Sequence, residues 1–434
     1  MFIWNILDYT PVLLEKKDLK CYTHLASALV FPHRQPLYFG LEVSVMRILG
    51  IVAEYDPFHN GHLFHMTEAK RKVRPDLTFV VLSSCFRQRG ELSLLSPADR
   101  ARCALEAGAD AVFCLPVLWT VRDAEHYALG AVSLLSRLGA THLAFGAETP
   151  DVNLLRRAAE RMETPDSLFS SALKQALASG AGYPASVSSA LSASLPGAEG
   201  LLNHPNNILA VCYLRALFRL GLSVTPVVIP RSGKYGAAEV DPLSPSASAL
   251  RNCLLCGNYS NVFPAVPEVT AALLRRRFLD ARVPDAAILD ALLVSRLRNM
   301  SEEEFRCLPD LSEGMENALR EASRIACSRN EIIAAASGKR YPSARISRLC
   351  ACALLGITKD QAEHAPLPEA ALLLGLRRRP EMTSLWKRLP VPVIASFTEW
   401  KKAAHPSDLT AWRLWAQCCR LPDTLPFSER IISL

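Results

Sequence analysis

The chain has 434 residues, half of them hydrophobic, and a formal net charge of +7 at pH 7. This length allows two or three domains with buried cores. No apolar run reaches the length of a membrane span, and the N-terminus lacks the features of a secretory signal. Thirteen cysteines are scattered along the chain, and the one CxxC pair, Cys253 and Cys256, has no second pair or His partner. This pattern favours reduced thiols in a cytoplasmic protein.

Residues 1–45 carry no sustained periodicity, and a regular fold begins at Met46. We therefore predict that 1–45 is a non-core N-terminal extension, with a misassigned start codon as the working hypothesis. Mass spectrometry of the natively expressed protein would refute this by finding the segment intact.

The segment from Arg47 to His65 predicts a buried strand, a turn around Pro57 and a helix that begins near Asn60. His59 and His62 flank Gly61 at the point where the strand leads into the helix. A helix N-terminus offers unpaired N–H groups and the positive end of the helix dipole, which suit a phosphate. Both imidazoles could donate hydrogen bonds to phosphate oxygens and stabilise charge during attack at phosphorus.

Glycine at position 61 removes the Cβ and would let a ribose or base approach the backbone closely. Two alternatives remain for the histidines. His59, His62 and His65 could form a metal cluster, although no Cys or carboxylate stands at ligand spacing nearby. They could also be ordinary histidines on a helix surface. We predict no metal site formed by protein side chains.

After Met46, strands and helices alternate, which predicts a parallel, doubly wound sheet. The carboxyl ends of its strands should bring His59, the loop Ser84–Glu91 and Gly146 to one crevice. The predicted strands are 77–83, 111–115, 141–145 and 223–229, and the predicted helices are 97–107, 123–138 and 205–220. Residues 150–200 are predicted to be a helical insertion. Ser246 and Ser248 begin a further helix, either as caps or, with Arg251, as a phosphate site.

We predict a domain boundary near residue 260, with an α/β domain over 46–260 and a mostly helical domain over 261–434. Residues 369–375 and 391–395 are predicted strands of a small terminal subdomain. Three basic clusters in the helical region favour an RNA-backbone surface over solvated charge. They are Arg275–Arg277, Lys339-Arg340 with Arg345 and Arg348, and Arg377–Arg379.

Several motifs occur in a fixed order: Glu54-Tyr55-x-Pro57-Phe58-His59-Asn60-Gly61-His62, Phe86-x-Gln88-Arg89-Gly90-Glu91, Gly130-Ala131-Val132, Phe145-Gly146-x-Glu148, Pro205-Asn206-Asn207-Ile208-Leu209, Ser246-Ala247-Ser248, Ser312-Glu313-Gly314-Met315-Glu316 and Lys339-Arg340-Tyr341-x-x-x-Arg345. Together they resemble the bacterial tRNA(Met) cytidine acetate ligases, a branch of the His-x-Gly-His nucleotidyltransferases. The resemblance runs from Met46 to about residue 360. It implies a Rossmann-like nucleotidyltransferase sheet followed by a helical tRNA-binding domain.

The resemblance implies an enzyme that converts acetate and ATP, with Mg²⁺ on the triphosphate, into acetyl-adenylate and pyrophosphate. The acetyl group would then pass to N4 of the wobble cytidine of elongator tRNA(Met). His59 and His62 are the implied catalytic residues, and Lys339, Arg340, Arg345 and Arg348 the predicted tRNA contacts. The implied ATP-binding residues are Val52, Ala53, Glu54, Tyr55, Asp56, Pro57, Phe58, His59, Asn60, Gly61, His62, Leu63, Phe64, His65, Gly146, Asn206, Arg231 and Ser232.

The chain departs from the family pattern at several positions. Asp56 stands where the family usually has Asn, and the segment after Arg231 lacks a usual His-Asp pair. Two other functions are therefore weighed: a nucleotidyltransferase that acts on a small metabolite without RNA, and an RNA-binding protein with a relic nucleotide fold. Retention of both histidines and Gly61 argues against the relic. Exchange of pyrophosphate that depends on acetate would separate the two enzymes.

Overall fold

The structure is a computed structural model, and the residues that it describes are 3–4, 11–12, 46–231, 241–242, 245–312, 314–338, 341–423 and 431–434. The chain falls into two compact units, Met1–Val45 and Met46–Leu434. In the first unit, two short strands pair antiparallel. In the described part of the chain, no helix has both the length and the apolar character that crossing a membrane requires.

Strands and helices alternate through the first half of the second unit, and helices dominate its second half. The strands are β1 Ile3–Trp4, β2 Pro11–Val12, β3 Ile48–Ala53, β4 Leu77–Ser83, β5 Ala111–Leu115, β6 His142–Ala147, β7 Thr225–Pro230, β8 Ala371–Leu376, β9 Val393–Ile394 and β10 Ile432–Ser433. The helices are α1 Asn60–Val73, α2 Pro97–Glu106, α3 Val117–Thr120, α4 Ala124–Arg137, α5 Val152–Glu163, α6 Ser167–Ala178, α7 Tyr183–Ser194, α8 Pro205–Arg219, α9 Ala247–Leu255, α10 Glu268–Leu279, α11 Ala286–Asn299, α12 Glu302–Arg306, α13 Met315–Ile325, α14 Arg329–Ala336, α15 Ser343–Leu355, α16 Lys359–Glu363, α17 Pro380–Trp386, α18 Phe397–Ala403 and α19 Pro406–Cys418.

The described strands of the second unit form one eight-stranded sheet in the order β10-β8-β5-β4-β3-β6-β7, with β9 beside β8. Strands β3 to β7 pair in parallel, which confirms the predicted parallel, doubly wound sheet. The chain builds outwards from β3 to β5 and then returns to the other side of β3 with β6. The strand order therefore reverses between β3 and β6, and ligands of such sheets bind at the carboxyl ends of the strands that flank the reversal.

A crevice opens at this point because β3 and β6 separate before they end. Their pairing stops at Ile51 and Ala144. In contrast, β3 stays paired with β4 as far as Ala53, and β6 stays paired with β7 to its last residue. The last residues of β3 and β6 therefore face each other across a gap.

The two faces of the sheet bury different side chains, because successive strand residues point to opposite faces. Leu49 and Ile51 belong to one core, and Ile48 and Phe79 belong to the other. Buried residues of α11, α13 and α15 lie in the same core as Leu49. The change of pattern near residue 260 is therefore a change from sheet to helices within one compact unit.

The strands expected at 369–375 and 391–395 are present as β8 and β9, but they are part of the main sheet rather than of a separate terminal subdomain. β8 pairs antiparallel with β5, with Ala111 opposite Leu376. Five of its six residues are buried. An apolar strand of this kind needs neighbours on both edges and both faces, and the main sheet supplies them. This pairing also makes the sheet mixed rather than wholly parallel.

Candidate active site

A cavity of about 1000 Å³ lies at the carboxyl ends of β3 and β6. His59 and His62 at the start of α1, Gly146 in β6 and residues of the loop 87–94 lie in its wall. Residues of α9, α14 and α15 close the other side. The sheet, the helix N-terminus and the helical region thus contribute to a single chamber.

His59 is the N-cap of α1 rather than a residue of its first turn. Its backbone is extended, and its Nδ1 accepts a hydrogen bond of 3.3 Å from the His62 backbone N–H. The Nδ1 of His62 in turn accepts a hydrogen bond of 3.3 Å from the His59 backbone N–H. The two rings stack with their centroids 3.6 Å apart. The two imidazoles together form a capping box, a role usually filled by Ser or Thr with Glu or Gln.

These hydrogen bonds fix the tautomer of both rings. A ring nitrogen that accepts a hydrogen bond carries no proton, so each neutral imidazole carries its proton on Nε2. Burial lowers the pKa of His59 to about 3, and the charges of Arg231 and Arg251 act in the same direction. Burial also holds the pKa of His62 well below its ordinary value. Both rings are therefore neutral at pH 7, and each offers one Nε2–H donor.

Gly61 has a steric role in this pair. A Cβ at Gly61 would lie 3.1 Å from both Cε1 and Nδ1 of the His59 ring. A side chain would therefore press on the ring that caps the helix. This reason differs from the predicted one, which was room for a ribose or base. At Gly146, by contrast, an added Cβ would lie 3.9 Å from its nearest neighbour. This is an ordinary van der Waals contact, so a side chain would not clash there.

His65 lines the cavity one turn further along α1. Burial lowers its pKa to about 4, and its Nε2 is buried without a hydrogen-bond partner among the described residues. The described part of the chain contains no group of three or more His, Cys, Asp or Glu side chains that could hold a metal ion. These residues therefore do not fit a protein-held metal centre, and they resemble a set of hydrogen-bonding groups around an anion site.

Asp56 faces the protein interior, which explains how a charge is tolerated where the family usually has Asn. The residue is 1% exposed. Its Oδ1 accepts hydrogen bonds from the backbone N–H groups of Leu94 and Leu95, at 2.8 and 3.3 Å. Its Oδ2 lies 3.4 Å from Nε of Arg87, which is an ion pair without hydrogen-bond geometry. The carboxylate therefore ties the loop 84–95 to the turn before His59.

The side chain of Arg100 on α2 is fully buried and also binds this loop. Its guanidinium donates to the carbonyl oxygens of Glu54 at 2.7 Å and Leu95 at 3.2 Å, and to that of Ser84. The Glu54 side chain accepts a hydrogen bond of 2.7 Å from the Gln88 backbone N–H. The end of β3 and the loop are therefore fixed relative to each other.

Two arginines bring positive charge to the histidine end of the cavity. Arg231 donates to Oδ1 of Asn206 at 3.2 Å, and the Asn206 amide donates to Glu148 at 2.6 Å. Arg251 donates to the Asp56 carbonyl at 2.6 Å and to the Ser248 hydroxyl at 3.2 Å. Both positive charges act on His59. Cations and neutral N–H donors around a helix N-terminus suit a polyphosphate.

Most of the predicted ATP-binding residues lie in the cavity wall. These are Val52, Ala53, Glu54, Tyr55, Asp56, His59, Gly61, His62, Phe64, His65, Gly146, Asn206 and Arg231. Pro57, Phe58, Asn60 and Leu63 lie outside the wall, and Ser232 lies outside the described residues. The Asn60 amide is used to tether two loops, because it donates to the carbonyls of Pro242 and Pro264.

The predicted tRNA contacts separate in the structure. Lys339 and Arg340 lie outside the described residues. Arg345 donates to the Asp310 carbonyl at 2.7 Å. Arg348 lines the same cavity as His59 and His62. Its position was predicted to be on an RNA-binding surface, and the structure places it inside the chamber instead.

The other two basic clusters make contacts within the protein. Arg277 forms a two-bond ion pair with Asp99, and Arg275 pairs with Glu268. Arg377 donates to the Leu105 carbonyl, Arg378 to the Ser433 hydroxyl, and Arg379 pairs with Asp110. These contacts give each cluster a structural role, so the charge runs alone are weak evidence for RNA binding.

Sequence reasoning missed several cavity residues. Arg87 occupies the unspecified position of the quoted Phe86-x-Gln88 motif, and its pairing with Asp56 has no short-range signal. Arg329 of α14 reaches across to the Gly90 carbonyl at 3.2 Å. Tyr127 of α4 also lines the cavity. Contacts of this kind depend on how distant helices pack, which periodicity does not reveal.

Comparisons with known proteins identify the family to which the chain belongs. A family model described as HIGH Nucleotidyl Transferase matches residues 46–422. The chain is 33% identical over 373 residues to the tRNA(Met) cytidine acetate ligase of Kosmotoga olearia, covering 83% of this chain and 88% of that protein. It is 30% identical over 400 residues to that of Acetivibrio thermocellus, covering 87% and 96%.

Two solved structures are also similar, both of Thermotoga maritima TmcAL. The apo form I crystal structure has a TM-score of 0.84, and the form II structure bound with alpha-thio ATP has a TM-score of 0.81. Each is 27% identical to this chain and covers 90% of it and 100% of the solved chain. The fold similarity thus includes a protein captured with an ATP analogue.

Proposed function

Because the chain belongs to the tRNA(Met) cytidine acetate ligase family of HIGH nucleotidyl transferases, we propose that it is itself an ATP-dependent tRNA(Met) cytidine acetate ligase. It activates acetate as acetyl-adenylate and acetylates a cytidine of tRNA(Met). The acceptor atom that we propose is N4 of the wobble cytidine in the elongator tRNA. These substrates imply a cytoplasmic site of action.

One observation carries the proposal: two neutral imidazoles present Nε2–H donors at a helix N-terminus, at the reversal of the sheet. In the first step an acetate oxygen attacks the α-phosphorus of ATP, and the bond to the pyrophosphate breaks. Negative charge on the phosphate oxygens would be stabilised by His59 and His62 and offset by Arg231 and Arg251. Neutral donors serve this purpose without the release or uptake of a proton.

The second step needs no protein nucleophile. Acetate is a poor acyl donor, but in the mixed anhydride the leaving group is AMP. The cytidine amine attacks the acetyl carbon, AMP leaves and the amine loses a proton. The base must leave its stack to reach the anhydride, which an anticodon loop allows at lower cost than a duplex. Positioning of the two reactants in one cavity supplies much of the acceleration.

We propose that Mg²⁺ enters with the nucleotide. Mg²⁺ is commonly bound by substrate phosphates, a few carboxylates and water, so a protein cage is not required. Glu54 and Glu91 are acidic residues of the cavity wall. The ion would offset triphosphate charge. We also propose that Lys339, Arg340 and Arg345 contact the tRNA backbone.

The test is incubation of the purified protein with ATP, labelled acetate and bulk tRNA, followed by digestion to nucleosides. We expect the label in N4-acetylcytidine only when ATP is present. Pyrophosphate exchange that proceeds without acetate, with no label in tRNA, would instead indicate a nucleotidyltransferase of a small metabolite.

A further inference from the structure

Arg348 projects into the cavity from α15. Its guanidinium makes no hydrogen bond or ion pair with any residue of the described ranges, and its Nε is shielded from solvent. Burial lowers the pKa of Arg348, while the charges of Asp123 and Asp310 oppose this effect from beyond ion-pair distance. A largely buried cation without a partner is unfavourable, so some group normally compensates it.

Other arginines that line the cavity already have partners. Arg87 pairs with Asp56 and Glu91. Arg251 binds the Asp56 carbonyl and the Ser248 hydroxyl. Arg329 binds the Gly90 carbonyl and the Ser347 hydroxyl. Their donors hold the walls together, so Arg348 differs from them in having its donors available to a ligand.

The backbone at Arg348 is held firmly in place. A Cβ on Gly90 would lie 2.8 Å from Cα of Arg348 and 2.7 Å from the Ser347 carbonyl oxygen, so the loop and α15 are in close contact. The Ser347 hydroxyl donates to the Arg89 carbonyl, and Arg329 bonds to both sides of this contact. The point from which the Arg348 side chain enters the cavity is therefore fixed, and its guanidinium is left available to a ligand.

The surroundings fit a small anion. Ala344 lies one helical turn before Arg348 on α15, and both line the cavity. Ala124 and Tyr127 share a face of α4 that also lines it, next to Asp123. The two alanines and the tyrosine ring add apolar surface to the lining of this cavity of about 1000 Å³, which has room for a short alkyl group.

We propose that Arg348 binds the carboxylate of the acyl substrate and positions it for attack on the α-phosphorus. This inference rests on the proposed function and assigns the acetate subsite within the same cavity. The guanidinium donates to one carboxylate oxygen, and the other oxygen attacks phosphorus as pyrophosphate leaves. Arg348 stays protonated throughout, so the step needs no proton transfer through it.

The test compares Arg348→Met and Arg348→Lys with wild type in acetate-dependent pyrophosphate exchange. Arg348→Met keeps the bulk of the stem and removes the donors. We expect the KM for acetate to rise about 10- to 100-fold with the KM for ATP unchanged, as for loss of a charge-assisted hydrogen bond. Arg348→Lys keeps the charge and should show a smaller rise. Arg306→Met on α12 is the matched control, because among the described residues Arg306 pairs only with Glu302 and Glu303 of its own helix.

Thermal melting identifies any variant that fails to fold. If Arg348→Met does not fold, the acetate KM of Arg348→Lys is compared with that of wild type instead. An unchanged acetate KM in a folded variant would overturn the assignment. A variant with weaker tRNA affinity and an unchanged acetate KM would show that Arg348 contacts RNA rather than acetate. If the wild-type protein shows no acetate-dependent exchange, the proposed function itself fails, and this result is distinguishable from both.

Discussion

The ring of His59 accepts a hydrogen bond from the backbone of His62, and the ring of His62 accepts one from the backbone of His59, each at 3.3 Å. This reciprocal arrangement serves two purposes. It satisfies N–H groups at the start of α1, and it turns both Nε2–H groups away from the backbone. Helix capping therefore uses Nδ1 of each ring, and the proposed recognition of phosphate would use the opposite nitrogen, Nε2.

The two roles can be separated by substitution. Asn is a strong N-cap residue, and Gln at the N3 position completes a capping box, so His59→Asn and His62→Gln should retain the helix. Both remove the Nε2–H donor. We expect acetate-dependent pyrophosphate exchange to fall about 10²- to 10³-fold, as for loss of one oxyanion donor. Full activity in either variant, with an unchanged melting temperature, would exclude that imidazole from the chemistry.

The protonation state of the pair can be observed directly. Because the pKa of His59 is lowered to about 3, its ring should not titrate between about pH 5 and 8. Nitrogen-15 NMR of labelled histidines should show Nε2–H tautomers for His59 and His62 over this range. An imidazolium signal at neutral pH would contradict the assignment.

The same shift has a consequence for stability. Below about pH 6.5, the unfolded chain binds protons that the native His59 cannot bind. The free energy of unfolding should therefore fall as the pH drops from there towards 3. In His59→Asn this contribution is absent, so the variant should lose less stability on acidification than wild type. If chemical denaturation shows that the variant and wild type lose the same free energy of unfolding on acidification, the lowered pKa of His59 does not contribute to stability.

Asp56 gives a prediction about the loop beside the site. Asp56→Asn keeps an oxygen for Leu94 and Leu95 but sets an amide N–H₂ group against Arg87. We expect a loss of roughly 1–3 kcal/mol in the free energy of unfolding. A double-mutant cycle with Arg87→Met isolates the pair, and a coupling energy below about 0.5 kcal/mol would show that the ion pair is unimportant.

The part of the site formed by β3 and α1 could be predicted because its signals are local. A buried apolar strand, Pro57 and a His-Asn-Gly-His run at a helix start all lie within a short segment. The cap role of His59 could not be predicted, because histidine is not a usual cap and its extended backbone has no sequence signature. Arg348 reaches the cavity only through the packing of α15 on the loop at Gly90.

The sheet shows the same limit. Strands β3 to β7 were predictable from strand–helix alternation, since parallel neighbours follow one another along the chain. The pairing of β8 with β5 could not be predicted. When two strands are far apart in the sequence, their pairing depends on which edge of the sheet is open. A short apolar segment such as Ala371–Leu376 fits equally well in a small subdomain until that edge is known.

A buried carboxyl group links this C-terminal region to α3, the short helix that follows β5. Asp408 of α19 accepts a hydrogen bond of 2.6 Å from the backbone N–H of Val117, and burial raises its pKa to about 7. The native state therefore binds a proton that the unfolded chain releases above about pH 4. The stability from this proton is complete at lower pH and is lost as the pH rises towards 7.

Asp408→Asn keeps the acceptor oxygen without the charge. We expect this variant to be more stable than wild type at pH 8, by at most about 4 kcal/mol, and similar to it near pH 4. Chemical denaturation at both pH values measures the difference. Lower stability of the variant at pH 8 would mean that the ionised carboxylate is favourable in its site.

The central claim is that the two Nε2–H groups hold the phosphates of ATP, and a crystal structure of this chain with a non-hydrolysable ATP analogue tests it most directly. We predict phosphate oxygens within about 2.7–3.2 Å of Nε2 of both His59 and His62. Phosphates bound elsewhere in the cavity, with both Nε2 atoms out of hydrogen-bond reach, would contradict the account.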